Sequence, residues 1–187
     1  MFYLVRHGET AWNLAGLQAS YTDLPLTKKG CDQSLRLKPY FEAKNFSQVW
    51  CSPLMRARET CQLAGFEQRV EIKSDLTEWH AGDYEGLKAE DIRQNHPEWS
   101  MMTHGAPKGE SPEQIQVRSK RVIMQMLEAE GDIVIFSSSH FLRALAACFL
   151  GLEPSFGRHL FLGSATVSIL DHQNQIPVIK LWNFETS

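Results

Sequence analysis

The sequence has no apolar run long enough to cross a membrane and no lysine- or arginine-rich stretch. The first absence argues against a membrane protein, and the second against nucleic acid as a partner. Charge is nearly balanced, with Lys+Arg 19, Asp+Glu 22 and a net charge of −3. The four cysteines, Cys31, Cys51, Cys61 and Cys148, show no CxxC spacing. The seven histidines are scattered, with no HExxH pair. No metal and no cofactor is therefore expected. A phosphate-cradling P-loop and a GxGxxG turn are both missing, as are internal repeats and low-complexity tracts. The opening Met1-Phe2-Tyr3-Leu4-Val5-Arg6 meets a charge too early for a secretory signal. The expectation is a cytoplasmic protein with reduced thiols.

The chain has 187 residues, 43% apolar and 22% charged. That is enough to bury a core without disulfides or metals. Short apolar runs alternate with longer amphipathic stretches, the pattern of a mainly parallel α/β sheet. Strands are expected at 2–5, 49–51, 71–73, 132–136, 166–170 and 178–182. Helices are expected at 27–43, 52–63, 88–95, 111–130 and 140–150. Ser52-Pro53 reads as a helix cap and first helical position. Ser111 with Gln114 reads as a capping box. Residues 76–110, richer in Trp, His, Gly and Pro, read as a flap inserted into a single domain spanning 1–187. Of Trp79, Tyr84, Trp99, Met101 and Met102 in that flap, at least half are expected to be core rather than a substrate mouth.

Four clusters carry chemistry. Arg6-His7-Gly8-Glu9-Thr10 follows the first strand, and ligands of open α/β sheets sit at such carboxyl ends. An arginine offers fixed donors to phosphate, and a neutral imidazole can attack phosphorus or shuttle a proton. Cys51-Ser52-Pro53-Leu54-Met55-Arg56-Ala57-Arg58 is a strand running into a helix. Arg56 stands at the anion-favouring end of that helix, and one of Arg56 and Arg58 reads as a solvated charge. Only four residues separate Cys51 from Arg56, so this is not a cysteine phosphatase loop. Phe136-Ser137-Ser138-Ser139-His140 is a third strand-to-helix junction, where the serines either donate to an anion or only cap the helix. In the fourth, Glu78 and Glu85 lie seven apart in an aromatic, glycine-broken segment. A carboxyl shielded there gains a raised pKa and can serve as general acid.

Together these blocks resemble the histidine phosphatase superfamily, of phosphoglycerate mutase-like fold. Leu4-Val5-Arg6-His7-Gly8-Glu9-Thr10-Ala11-Trp12-Asn13 is similar to that family's opening signature, and Asp23-Leu24-Pro25-Leu26-Thr27 follows at its distance. Ser52 to Thr60 and Leu76 to Leu87 are similar to its second and third blocks. Within the family, Glu78-Trp79 with Gly82-Asp83-Tyr84-Glu85-Gly86 resembles the sugar-bisphosphatase branch related to sedoheptulose-bisphosphatase. The resemblance implies a three-layer α/β/α sandwich and a metal-independent phosphatase of small phosphate esters. His7 would be the nucleophile that becomes transiently phosphorylated. Arg6, Asn13 and Arg56 would hold the phosphoryl oxygens, and Glu78 would protonate the leaving alcohol.

Two departures stand out. Arg143-Ala144-Leu145 and Leu150-Gly151-Leu152 fix the register without a gap, so the family's second pocket histidine falls on Ser138 and its glycine on Ser139. His140 stands two residues further on, and making it the missing histidine needs a two-residue slip at a strand end. Ala19-Ser20 replaces a small residue plus glycine, so Ser20 is expected to touch the substrate and narrow the pocket. A hydroxyl at position 138 cannot carry positive charge, which leaves a phosphatase with weakened activity. The alternative is an impaired relative that binds phospho-ligands or a partner. A phosphoglycerate mutase fits less well, because the chain is short and shows no dedicated insertion to keep water from a phosphorylated intermediate.

Overall fold

The computed structural model describes residues 1–186. Six strands form one sheet: β1 (Phe2–Arg6), β2 (Gln48–Cys51), β3 (Val70–Ile72), β4 (Ile133–Ser137), β5 (Thr166–Gln173) and β6 (Ile176–Glu185). Their spatial order is β3-β2-β4-β1-β5-β6. The first four are mutually parallel, and β5 and β6 close the sheet antiparallel. Eight α-helices are described: α1 (Ala11–Ala15), α2 (Lys28–Leu35), α3 (Leu37–Glu42), α4 (Met55–Leu63), α5 (Ala89–Asn95), α6 (Met101–His104), α7 (Pro112–Glu128) and α8 (Ser139–Phe149). Three 3₁₀ turns, Ser74–Leu76, Gly82–Tyr84 and Pro154–His159, complete the elements.

The central strands are apolar throughout because both of their faces are covered. Phe2, Leu4, Ile133 and Ile135 point into one cluster with Trp79, Phe141 and Leu145. Tyr3, Val5, Val134 and Phe136 point into the opposite one with Leu37, Phe41 and Ala57. The period of two along each strand thus builds helix, sheet and helix layers, as the resemblance implied.

Two expected helix boundaries move for local reasons. The helix expected over 27–43 divides at Arg36, because Pro39 has no N–H to donate and sits in the first turn of a new helix. The helix expected to open at Ser52 starts at Met55 instead. Ser52 Oγ accepts from Leu54 N, and Asp23 Oδ1 accepts from Met55 N at 2.6 Å. The Ser111–Gln114 capping box forms as expected.

Residues 77–110 leave the sheet as short helices and loops. Trp79, Trp99, Met101 and Met102 are buried in the same cluster as β1 and α8, while Tyr84 meets the Trp99 ring edge-on. At the base of this excursion lies Arg118 of α7. It forks onto both carboxylate oxygens of Glu110, at 2.7 and 2.6 Å, and donates to the carbonyls of Asp75 and Thr77.

Candidate active site

β1 and β4 end side by side, with Arg6 paired to Ser137. His7 N donates to Ser137 O at 3.0 Å, so His7 and Ser138 leave the sheet from adjacent strand ends. Gly8 N donates to Thr60 Oγ1, whose own hydroxyl donates to Arg56 O at 2.8 Å. One α4 threonine therefore ties the loop after β1 to the turn that bears Arg56. Gly8 lies against Gly30 of α2 so closely that a Cβ would strike Gly30 O and Ser34 Oγ. Only glycine allows this crossing.

His7 is buried, and its Nδ1 lies 2.7 Å from Gly8 O. A carbonyl oxygen only accepts, so Nδ1 carries the proton and the Nε2 lone pair is bare. Burial pushes the ring's pKa down to about 3, and the charges of Arg56 and Arg6 push the same way. At neutral pH the His7 ring is uncharged and lies near two cations.

Of those cations Arg56 is buried and Arg6 partly so. Arg6 donates through Nη1 to Leu162 O, and Arg56 through Nη2 to Ser20 O and Nη1 to Thr22 O. The Nε of each lacks a protein acceptor among the described residues. Burial pushes both guanidiniums down, Arg6 to about 10, while Glu78 holds both up. Both stay charged at neutral pH. Arg58, by contrast, is exposed on the same helix.

Glu78 is also buried, but its state reverses the expectation of a raised pKa. Burial alone would raise it. His140 and the backbone N–H groups of Trp79 and Phe141 outweigh burial and bring it to about 2. Oε1 accepts from Trp79 N and Phe141 N, each at 2.8 Å, and Oε2 accepts from His140 N at 3.1 Å. His140 Nδ1 stands 3.7 Å from Oε2. Glu78 thus caps α8, because it receives the orphan N–H groups of that helix's first turn.

Ser138 occupies the N-cap position of α8 and caps nothing. Its hydroxyl is buried without a protein partner. The capping role open to it in sequence is taken by Glu78.

Arg6, His7, Asn13, Glu78, Ser139 and His140 share the walls of a cavity of about 200 Å³. Asn13 Oδ1 accepts from Thr10 N in the cap of α1, which leaves its carboxamide nitrogen as a free donor. Arg56, Ser138 and Ser20 are not among the residues that line the cavity, so His140 and Ser139, rather than Ser138, face it from the start of α8. The expectation that Ser20 touches substrate meets a different arrangement: its Oγ donates to Glu85 at 2.7 Å and accepts from Ala81 N. Glu85 also accepts from Thr22 N at 2.6 Å. The Ser20–Thr22 loop, whose carbonyls hold Arg56, is thereby pinned by Glu85. The two carboxylates seven apart in sequence divide the work, with Glu78 in the site and Glu85 bracing it.

Sequence reasoning missed Arg118 and Arg143. Arg143 adds its charge to the site and anchors through Nε to Gly157 O at 2.9 Å. It was noticed only as a register marker, since an arginine inside an apolar helix gives no spacing signal. Among the described residues, no group of three or more His, Cys, Asp or Glu is placed to hold a metal ion. No helix among them is long and apolar enough to cross a membrane.

Residues 2–185 match the sequence model of the histidine phosphatase superfamily (branch 1). The chain is 32% identical over 177 residues to an acid phosphatase of Mycobacterium tuberculosis, covering 92% of this chain and 87% of that protein. It is 34% identical over 182 residues to sedoheptulose 1,7-bisphosphatase of Saccharomyces cerevisiae, covering 80% and 67%. Among solved structures it is similar to the alpha-ribazole phosphatase of Shigella flexneri, at TM-score 0.86 and 28% identity, covering 99% and 96%.

Proposed function

Because the chain belongs to the histidine phosphatase superfamily, whose matched members include an acid phosphatase and a sedoheptulose 1,7-bisphosphatase, we propose that it hydrolyses a small phosphate monoester, such as a sugar phosphate, through a phospho-His7 intermediate. The observation that carries this reading is the ring of His7. Its Nδ1 is committed to Gly8 O, and its uncharged ring lies within the field of the Arg6 and Arg56 guanidiniums.

The phosphoryl group sits against Arg6, with the Asn13 amide as a further donor and the charge of Arg56, buried nearby, acting on the same space. These charges stabilise the equatorial oxygens as the transfer proceeds. Nε2 of His7 forms the P–N bond as the ester P–O bond breaks. The Nδ1–H bond to Gly8 O holds the ring in line and spreads the positive charge that develops on it. The leaving oxygen needs a proton, and Glu78 supplies it. In the free site Glu78 is ionised, held so by His140 and the N–H groups of Trp79 and Phe141. A phosphate anion bound beside it is a like charge, which raises the carboxyl's proton affinity so that it takes up the proton it then gives to the leaving oxygen. Water then attacks phosphorus, the P–N bond breaks, and Glu78 takes the water's proton. Ser138 offers one neutral hydroxyl in place of a cationic donor, so turnover is slow. Ser20 acts at a distance, by holding the loop that holds Arg56. No metal takes part in these steps, so turnover should survive a chelator.

Rapid quenching with labelled phosphate ester should trap an acid-labile phosphoryl group on the wild-type protein and none on His7→Ala. Label that survives in His7→Ala would sink the assignment.

The pH profile supplies a second check. The folded pKa of His7 is depressed from 6.5 to about 3, so at pH 5 almost all of the ring is nucleophilic, against about 3% for an unshifted imidazole. After correction for the ester's own ionisation, kcat/KM should hold its plateau below pH 6 and fail only in stronger acid. A break near pH 6.5 would mean an ordinary, solvated His7.

A further inference from the structure

Beside the His7 cavity lies a second cavity of about 250 Å³, and Gln18 and His140 belong to the walls of both. Its walls include Arg93 of α5, Arg143 of α8 and Arg158 of the last 3₁₀ turn. Each guanidinium is anchored only through Nε: Arg93 to Trp99 O at 3.0 Å, Arg143 to Gly157 O at 2.9 Å and Arg158 to His159 Nε2 at 3.0 Å. None has a carboxylate within ion-pair distance among the described residues. Their outer nitrogens, two on each group, have no protein acceptor there either. Guanidinium forks match the geometry of phosphate and carboxylate.

Three like charges around one small space repel each other. Ordinary surface arginines relieve this with acidic neighbours, as Arg121 does with Asp75 at 2.9 Å. Here the cations come from three separate elements, and no acid accompanies them. His140 and Gln18, common to both walls, join this space to the cavity of His7.

We infer that the second cavity is a subsite for a second anionic group of the same substrate, a phosphate or carboxylate carried distal to the ester that His7 attacks. The inference rests on the hydrolase reading and narrows its substrate class to doubly anionic esters. Neutral-tailed esters leave the three guanidiniums unmatched and gain nothing from them. Because the second anion is far from the bond that breaks, its binding energy acts mainly on substrate capture and alignment.

The test compares kcat/KM for fructose 1,6-bisphosphate against fructose 6-phosphate, and for 3-phosphoglycerate against glycerol 3-phosphate. Phenyl phosphate serves as the reference without a second anion. The wild-type protein should favour at least one doubly anionic partner by roughly 10²-fold, about 2.7 kcal/mol by the tenfold-per-1.36 relation. Which pair shows the preference distinguishes phosphate from carboxylate. Arg93→Gln combined with Arg158→Gln should remove at least nine-tenths of that preference, mainly through KM, and leave phenyl phosphate within about twofold. Equal rates within both pairs in the wild type would overturn the inference, as would an equal loss on phenyl phosphate in the variant. Failure of the underlying reading looks different: no ester is turned over at all, or His7→Ala is as active as wild type. In that event calorimetric binding of fructose 1,6-bisphosphate against inorganic phosphate decides the subsite. Tighter binding of the bisphosphate that is lost in the double variant supports it, and equal binding refutes it.

Discussion

His7→Ala is expected to lose on the order of 10⁵-fold or more in kcat on any phosphate ester, as removal of a covalent nucleophile does elsewhere. The reason is local. Arg6, Arg56 and Glu78 can still bind and polarise the ester, but the other imidazole on the cavity wall, His140, is engaged with Glu78 at the start of α8 rather than at the end of β1. The fold should survive. The side chain gives up one hydrogen bond, to Gly8 O, worth about 1 kcal/mol net. Removing an imidazole held neutral by burial also removes a source of acid instability. His7 is depressed below its unfolded value, so its stabilising effect is present above pH 6.5 and is lost as pH falls toward 3. The variant should therefore melt close to wild type at pH 7 and resist acid better. Added imidazole, small enough for a cavity of about 200 Å³, should restore part of the rate. Retention of more than a tenth of wild-type activity would exclude the covalent route.

Ser138→His is expected to raise kcat by roughly 10² to 10³, the usual worth of one donor to developing oxyanion charge. Position 138 follows β4 as His7 follows β1, so a side chain there leaves the sheet beside the nucleophile. Its present hydroxyl is buried without a protein partner. The companion Ser138→Ala separates structure from chemistry. It breaks no protein hydrogen bond, so the melting temperature should not fall. If the hydroxyl donates to the phosphoryl group, kcat should drop by about 3- to 10-fold, the equivalent of one neutral hydrogen bond. A wild type that is inert and a Ser138→His variant that turns over would mark the chain as a disarmed phosphatase, and would favour the ligand-binding alternative. A Ser138→His variant that folds but is no faster would show that position 138 is not the missing donor.

The layout of the fold was legible because its signals are local. The apolar runs at β1 and β4 and the Ser111 capping box each state their own structure within a few residues. The candidate site was legible where it hangs on strand ends: Arg6 closes β1, His7 follows it, and Arg56 stands in the first turn of the helix after β2. The ionisation of Glu78 was not legible. Shielding by aromatics suggested a raised pKa, whereas the deciding N–H groups come from α8, about sixty residues away. Ser20 was misjudged for the same reason, since its partners Glu85 and Ala81 lie over sixty residues along the chain. Residues joined by tertiary contact leave no spacing to read.

The clasp at Arg118 has a consequence for how such a protein diversifies. It binds Glu110 at one foot of the excursion and the carbonyls of Asp75 and Thr77 at the other. Glu78 lies next to that clasp, while Arg93 lies far out along the excursion. Changes around Arg93, outward of Glu78 and Glu85 on the excursion, can therefore alter the second cavity without disturbing the carboxyl held at the clasp. Selectivity and bond-breaking are separately inheritable, as a lock's wards can be recut around an unchanged bolt.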